Sequence, residues 1–131
     1  MLFFFHGGTS SATIYPASRL ANTTGCIVVT VQYRQGPFGY LVLPELLAEG
    51  AVNLASEDQL MALRWVNSSI AAFGGDARAV TLFGQSAGAG FVLWNLVWPR
   101  AYGLYSAAIV ESTGGGGCEY VPAPAPASQQ S

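Results

Sequence analysis

Short apolar runs bounded by glycines dominate the first third of the chain. Leu2–Phe5 is a run of four apolar residues that ends at the sequence HGG of residues 6–8, and such a run is typical of a buried strand. Cys26–Tyr33 is rich in β-branched residues and mostly continuous rather than alternating, which favours a central parallel strand buried on both faces. Residues 34–52 contain several glycines and prolines and predict an irregular connection.

A helical period follows this connection. Apolar residues recur at steps of three and four, the pattern of a helix with one face toward the core; they are Leu60, Leu63, Val66, Ile70 and Phe73. Ser56 is the expected N-cap, with Glu57 and Asp58 in the first turn, where the helix dipole favours negative charge. The glycine pair of residues 74–75 is expected to end the helix.

The second half of the chain continues the alternation of strand and helix. Ala79–Phe83 and Ser106–Val110 are predicted strands, and a helix is predicted from Ala87 to about Trp98, where Pro99 stops it. The order β, β, α, β, α, β predicts an α/β fold with a parallel sheet and helices on both faces. Ligands of such sheets bind at the carboxyl ends of the strands.

Composition narrows the protein class. The chain has 131 residues, of which 51% are hydrophobic and 9% charged, whereas soluble domains carry about 25% charged residues. Such a high hydrophobic and low charged fraction is typical of the interior of a larger protein. No stretch of about 18 residues is uniformly apolar, so no transmembrane segment is predicted. The net charge of −2 comes without a basic cluster, so the chain lacks the electrostatic footprint of nucleic-acid binding.

Only part of the chain is predicted to fold as a domain. Residues 1–113 form the predicted folded part, and residues 114–131 form a low-complexity tail of Gly, Pro and Ala that we expect to be disordered and partly polyproline II. No signal peptide is visible at the start, which leaves the compartment open.

The two cysteines, Cys26 and Cys118, are too few for a disulfide framework, and their spacing suits no metal site.

The sequence GQSAG of residues 84–88 is a G-x-S-x-G motif with a predicted strand before it and a predicted helix after it. A tight strand-to-helix turn strains the backbone of the serine and exposes its hydroxyl. Gly84 and Gly88 leave room for strand and helix to approach each other. We therefore predict that Ser86 is a nucleophile; the alternative is a serine that only caps the helix.

The HGG sequence suits a loop that supplies backbone N–H groups to an oxyanion hole. Gly7 and Gly8 would let the backbone approach a substrate carbonyl, and the N–H of Ala87, directly after the serine, would complete the hole. His6 is predicted to be a satisfied structural histidine of this loop.

Five segments together resemble the type-B carboxylesterase family, which includes cholinesterases and some fungal lipases. They are FFFHGG (3–8), VQYRQGPFGY (31–40), NLASEDQLMALRWVNSSIAAFGGD (53–76), AVTLFGQSAGA (79–89) and AAIVES (107–112). The resemblance implies a partial α/β-hydrolase fold and a serine carboxylic-ester hydrolase that works through an acyl-enzyme on a small-molecule ester. No cofactor or metal ion is expected.

The resemblance also implies site residues. Ser86 matches the nucleophile, and Gly7, Gly8 and Ala87 match the oxyanion region. The family's catalytic acid and histidine follow the nucleophile, whereas the only histidine here is His6. We therefore expect this chain to be a nucleophile-bearing fragment that is inactive alone, with its base in sequence that it does not contain.

Several positions depart from the family pattern or leave alternatives open. Gln85 stands where the family usually has Glu, which keeps the hydrogen-bonding shape but removes a charge and argues against a cationic substrate. Thr9 stands where the HGGG-type motif of oxyanion loops has a third glycine. Glu111 is the alternative for the catalytic acid, although the family places its acid later in the chain, and Ser112 matches a serine that supports that acid.

Two further predictions concern the framework and the class of protein. Arg34 and Asp58 fall on framework positions of the family, and we expect them to form a buried or half-buried ion pair. A non-catalytic cholinesterase-like adhesion or binding protein, or an inactive truncated product, is the alternative to an esterase. Ser86 favours the esterase, because adhesion-type relatives commonly lose that serine.

Overall fold

The computed structural model describes residues 1–8 and 16–113. Its centre is a sheet of four parallel strands in the order β2-β1-β3-β4. The strands are β1 (Leu2–Phe5), β2 (Val28–Val31), β3 (Thr81–Gln85) and β4 (Ala107–Glu111). The predicted parallel α/β architecture is confirmed, and the register that pairs Phe5 with Gly84 brings the ends of β1 and β3 together.

Helices cover both faces of this sheet. They are α1 (Ser18–Thr24), α2 (Pro37–Tyr40), α3 (Pro44–Ala48), α4 (Leu54–Ser69) and α5 (Ala87–Val97), with short 3₁₀ turns at Ile70–Phe73 and Pro99–Ala101. Phe3 and Phe5 of β1 face a core to which α4 and α5 contribute; its other buried members are Leu63, Val66, Ile70, Val80, Leu82 and Val92. Phe4 points to the opposite face, where it lines a cavity together with α1.

Two of the predicted strands need correction. The strand predicted at Cys26–Tyr33 is shorter, and within the described sheet it lies at an edge rather than at the centre, because β1 occupies the position between β2 and β3. The strand predicted from Ala79 begins at Thr81, since the N–H of Ala79 donates to the carbonyl of Asp76 in a turn. An apolar run alone does not reveal which strand takes the middle of a sheet.

The long helix starts earlier than its capping pattern predicts. Asn53 is the N-cap with φ 52°, and its carbonyl accepts the N–H groups of Ser56 and Glu57. Asparagine tolerates this left-handed backbone. Because the helix begins after Asn53, Ser56 lies inside it and is buried. The prediction of Ser56 as the N-cap is therefore wrong. Phe73 is 63% exposed, because the 3₁₀ turn has three residues per turn and carries it off the apolar stripe. Gly74, with φ 79°, ends the turn as predicted.

The connection predicted to be irregular contains two short helices. α2 and α3 each begin with a proline at the first helical position, where its missing N–H costs nothing and its fixed φ suits the helix. Residues 18–24 show no apolar period, so α1 is not predicted from the sequence. The predicted tail of residues 114–131 and Thr9 lie outside the described residues.

Much of the described surface is apolar, in keeping with the low charged fraction. Large hydrophobic side chains stand exposed on the outer side of α5 and on β4; they are Leu93, Trp94, Leu96, Val97, Ile109 and Val110. No helix within residues 1–8 and 16–113 has the length and hydropathy needed to cross a membrane.

Candidate active site

Ser86 lies at a sharp turn between β3 and α5. Its backbone has φ 56° and ψ −122°, a conformation that is unfavourable for any residue with a Cβ atom. Hydrogen bonds hold it there: the Ser86 N–H donates to the Glu111 carbonyl at 2.9 Å, and the Ser86 carbonyl accepts from Ala89 N–H at 3.0 Å. The structure thus contains the strained strand–turn–helix geometry that the G-x-S-x-G motif predicts.

The hydroxyl of Ser86 is not used to cap α5. Ser86 occupies the N-cap position, but its side chain makes no capping hydrogen bond to the helix. A serine kept for capping would accept a hydrogen bond from the second or third residue of the helix. The capping interpretation therefore lacks its defining contact.

Three glycines allow the strand ends and the turn to approach each other. A Cβ atom on Gly84 would lie 2.9 Å from the nitrogen of Ala89. One on Gly88 would lie 2.7 Å from the carbonyl oxygen of His6, and one on Gly7 would lie 3.0 Å from Cβ of Ser86. Real Cβ contacts under about 3 Å do not occur without displacement of a neighbour, and a Cβ atom on Gly7 would lie 2.5 Å from the carbonyl oxygen of Gln85, so this position beside Ser86 requires glycine.

The predicted oxyanion residues lie around this contact. Gly7 is packed against Ser86, and Gly8 follows with φ 67°, a left-handed conformation that favours glycine. Ala87 is the first residue of α5, and helix geometry leaves the N–H of a first residue without an intrahelical acceptor. Their joint role in binding an oxyanion stays a prediction.

The side chain of Gln85 also lies close to Gly7. Its Oε1 atom lies 3.3 Å from the position that a Cβ atom on Gly7 would take. Gln85 and Glu111 also line a cavity of about 360 Å³ between α1 and the sheet. The other lining residues are mainly apolar; among them are Phe4, Leu20, Val28 and Phe83.

Glu111 supports the turn through its backbone rather than through a side-chain contact with Ser86. Its carbonyl accepts the Ser86 N–H, and its position at the end of β4 is paired in register with Gln85. The side chain is exposed and lines the cavity beside Gln85. Ser112 comes next with φ 52°, one of three non-glycine residues with positive φ in the described chain. Their proposed roles as acid and supporting serine stay predictions.

His6 is fully buried and hydrogen-bonded, as a satisfied structural histidine should be. The side chain is 0% exposed. Its Nδ1 lies 3.3 Å from the Gly7 carbonyl oxygen, and its Nε2 lies 3.2 Å from Nε2 of Gln35. The Tyr33 hydroxyl donates to the His6 carbonyl at 2.6 Å, and its ring stacks on the imidazole at a centroid distance of 4.5 Å. The contacts of Tyr33 and Gln35 with His6 were not predicted from the sequence.

The predicted pairing of Arg34 with Asp58 is confirmed, although the Arg34 side chain is more exposed than a buried pair requires, at 46%. Arg34 donates to Asp58 Oδ2 from its Nε at 2.8 Å and from its backbone nitrogen at 2.9 Å. The side-chain hydrogen bond from Arg34 is the main reason that the pKa of Asp58 lies below its ordinary value. A second pair joins Arg100 to Glu57, the residue before Asp58, with one N–O distance of 2.9 Å. The sequence prediction missed this pair.

The described residues contain no group of three or more His, Cys, Asp and Glu side chains arranged to hold a metal ion.

A family model described as "Carboxylesterase family" matches residues 1–123. The para-nitrobenzyl esterase of Bacillus subtilis is 45% identical over 108 residues, which are 82% of this chain and 22% of the relative. The cholinesterase of Mus musculus is 43% identical over 82% of this chain and 18% of its own length. Acetylcholinesterase 4 of Caenorhabditis briggsae is 42% identical over 86% of this chain and 19% of its own length.

Solved esterase structures contain the same arrangement of strands and helices. A thermophilic PNB esterase superposes with a TM-score of 0.81 at 41% identity, covering 86% of this chain and 24% of that one. A second PNB esterase gives a TM-score of 0.81 at 42% identity. The predicted fold, a partial α/β-hydrolase fold, is therefore confirmed. The chain spans about a fifth of the length of these curated relatives.

Proposed function

The chain belongs to the carboxylesterase family, and from its site we propose that it is the nucleophile-bearing part of a serine carboxylic-ester hydrolase. One observation carries the proposal. Ser86 is held at φ 56° between β3 and α5, its hydroxyl makes no capping bond, and the backbone of Gly7 lies against it. A strained serine at such a junction is the arrangement that presents a nucleophile to an ester carbonyl.

The proposed reaction proceeds through an acyl-enzyme. The Ser86 oxygen attacks the ester carbonyl carbon while a base removes its proton, and the carbonyl oxygen becomes an oxyanion. Backbone N–H groups of Gly8 and Ala87 stabilise that charge. The tetrahedral intermediate then expels the alcohol, which takes the proton from the base. Water then attacks the acyl carbonyl carbon while the base takes its proton. The Ser86 oxygen leaves and takes the proton back from the base, and the carboxylic acid is released.

The base is proposed to be a histidine outside these 131 residues. His6 is the only histidine in the sequence, and both of its ring nitrogens already lie within hydrogen-bonding distance of neighbours in a fully buried position. A general base has to reach the serine hydroxyl. This occupied ring supports a structural role for His6 and an external base for Ser86.

The substrate class is proposed to be neutral small-molecule esters. The Gln85 amide stands beside Gly7 without a charge, whereas a carboxylate at that position would attract a cationic group. The nearby cavity has Glu111 at its lining but is otherwise bounded mainly by apolar residues of the sheet and α1, which suits the uncharged part of an ester.

Acyl transfer to Ser86 can be measured with a neutral p-nitrophenyl ester and the full chain, with and without free imidazole as a replacement base. We expect a burst of nitrophenol of one equivalent per chain that imidazole accelerates. Ser86→Ala controls for imidazole's own reaction with the ester. A burst of equal size in Ser86→Ala, or none in the unsubstituted chain with imidazole, would contradict the proposal.

A further inference from the structure

The ring of His6 contacts the peptide that the proposed oxyanion hole depends on. Its Nδ1 lies 3.3 Å from the carbonyl oxygen of Gly7. On the opposite side of the ring, Nε2 lies 3.2 Å from the amide nitrogen of Gln35. Tyr33 stacks on the ring with an interplanar angle of 18° and anchors the His6 backbone through its hydroxyl. The ring is thus fixed in position from three directions.

These contacts specify one protonation pattern of the ring. A carbonyl oxygen only accepts hydrogen bonds, so Nδ1 has to carry the proton that is shared with Gly7. An amide nitrogen only donates, so Nε2 has to be the unprotonated acceptor toward Gln35. Both contacts are satisfied together by the neutral Nδ1–H tautomer and by no other form of the ring.

Fixing the carbonyl of Gly7 also fixes the N–H of Gly8. The two groups belong to one planar trans peptide, in which C=O and N–H point in opposite directions. Gly7 and Gly8 have no side chains whose packing would select one orientation, and glycine admits several backbone conformations at similar energy. The contact with the imidazole therefore favours one direction for the Gly8 N–H.

We propose that His6 is a positioning residue: its Nδ1–H holds the Gly7 carbonyl so that the Gly8 N–H, on the far side of the same peptide, is presented to the oxyanion. This inference rests on the proposed function for its catalytic meaning. The hydrogen bond itself does not depend on that function. Because Gly7 packs against Cβ of Ser86, a rotated peptide would change the donors beside the nucleophile. A misplacement of about 1 Å in such a site costs up to roughly 100-fold in rate.

The tautomer can be measured directly, because the chain contains one histidine. A full chain labelled with ¹⁵N only in histidine gives the signals of a single ring, and long-range ¹H–¹⁵N correlation spectra distinguish the two ring nitrogens. We expect the Nδ1–H tautomer near neutral pH. Any state in which Nε2 carries a proton would overturn the inference.

Two variants then separate positioning from simple packing. In His6→Asn, the side-chain nitrogen can take the place of Nδ1, whereas in His6→Gln it can take the place of Nε2. Both lose the stacking on Tyr33, so both are expected to lose similar thermal stability. We expect His6→Asn to react with a neutral aryl fluorophosphonate at Ser86 roughly ten times faster than His6→Gln, in line with the cost of a misplaced donor.

The outcomes distinguish this inference from the proposed function. Equal labelling rates in two variants of matched melting temperature would overturn the positioning role. If no form of the chain reacts at Ser86 even with imidazole present, the proposed function fails. The ring spectrum then still decides whether His6 holds the Gly7–Gly8 peptide. If the variants fail to fold, the same spectrum of the unsubstituted chain keeps the hydrogen bond testable.

Discussion

Gly88 in the first turn of α5 packs against the backbone carbonyl of Phe5 at the end of β1, and a Cβ atom on Gly88 would overlap that oxygen. The first turn of the helix can therefore lie directly over the strand that leads into the HGG loop. This contact sets the distance between the nucleophile turn and the proposed oxyanion loop. It also gives a direct test of whether the described packing forms in solution.

Gly88→Ala is expected to destabilise the chain by roughly 2–4 kcal/mol, because the backbone carbonyl groups of Phe5 and His6 occupy the place of the new methyl group. Urea denaturation followed by circular dichroism measures the loss. Gly50→Ala is the control: unlike Gly88, Gly50 has a positive φ, of 71°, and it has open space around its Cβ position. It should cost only about 1 kcal/mol. Equal losses in the two variants would show that the contact with Phe5 is not formed.

Ser86→Gly is expected to be more stable than Ser86→Ala by about 1 kcal/mol, because glycine adopts the backbone of residue 86 without strain. Both variants lack the hydroxyl, so neither should form an acyl-enzyme. Parallel thermal melts compare their stabilities. If Ser86→Ala proves the more stable of the two, the strained turn is absent in solution.

Asp58→Asn should weaken the chain near neutral pH and have progressively less effect as the pH falls. The pKa of Asp58 is held below its ordinary value of 3.8, first by the hydrogen bond from Arg34. A lowered carboxyl pKa contributes stability above the unfolded value, and this contribution is lost as the pH drops through the folded value. Thermal melts between neutral and strongly acidic pH measure the difference. The effect is expected to be modest, since both side chains are partly exposed.

The control for this ion pair is a double-mutant cycle. In an Arg34→Gln background, Asp58→Asn should show a smaller pH-dependent effect, because the main cause of the lowered pKa is gone. An unchanged effect in that background would show that Arg34 is not the group that lowers the pKa of Asp58.

Gln85→Glu should favour cationic reagents. The side-chain oxygen of Gln85 lies beside Gly7, so a carboxylate there would attract a positive group close to the nucleophile. We expect the labelling rate of a cationic phosphonate, relative to a neutral one of the same shape, to rise several-fold and to lose this gain in high salt. Gln85→Met, which is neutral and similar in length, should leave the ratio unchanged. A ratio that is the same in all three forms would place Gln85 away from the reagent.

Sequence patterns predict the structure correctly where the residues that determine it lie close together in the chain. The motif of residues 84–88 predicts the turn at Ser86, because glycine spacing, the strand before and the helix after all lie within a short window. The start of α4 is not predicted correctly, because Ser56 has a side chain suited to capping and only the backbone conformation of Asn53 shows that the helix begins there.

The parts that the sequence did not reveal depend on contacts between distant residues. Tyr33 and Gln35 lie 27 and 29 positions from His6, and only the pairing of β1 with β2 brings them to the histidine ring. Likewise, nothing near Glu57 in sequence indicates its pairing with Arg100, which lies 43 positions away. Such pairs follow from the topology of the sheet and the crossing of helices rather than from periodicity.

Mapping a covalent adduct decides whether Ser86 is the nucleophile of an esterase site. The full chain is treated with a neutral aryl fluorophosphonate in the presence of imidazole, digested, and analysed by tandem mass spectrometry. We expect one phosphonyl group per chain, on Ser86, and none in Ser86→Gly. An adduct on another serine, or an unmodified Ser86 in a folded chain, would contradict it.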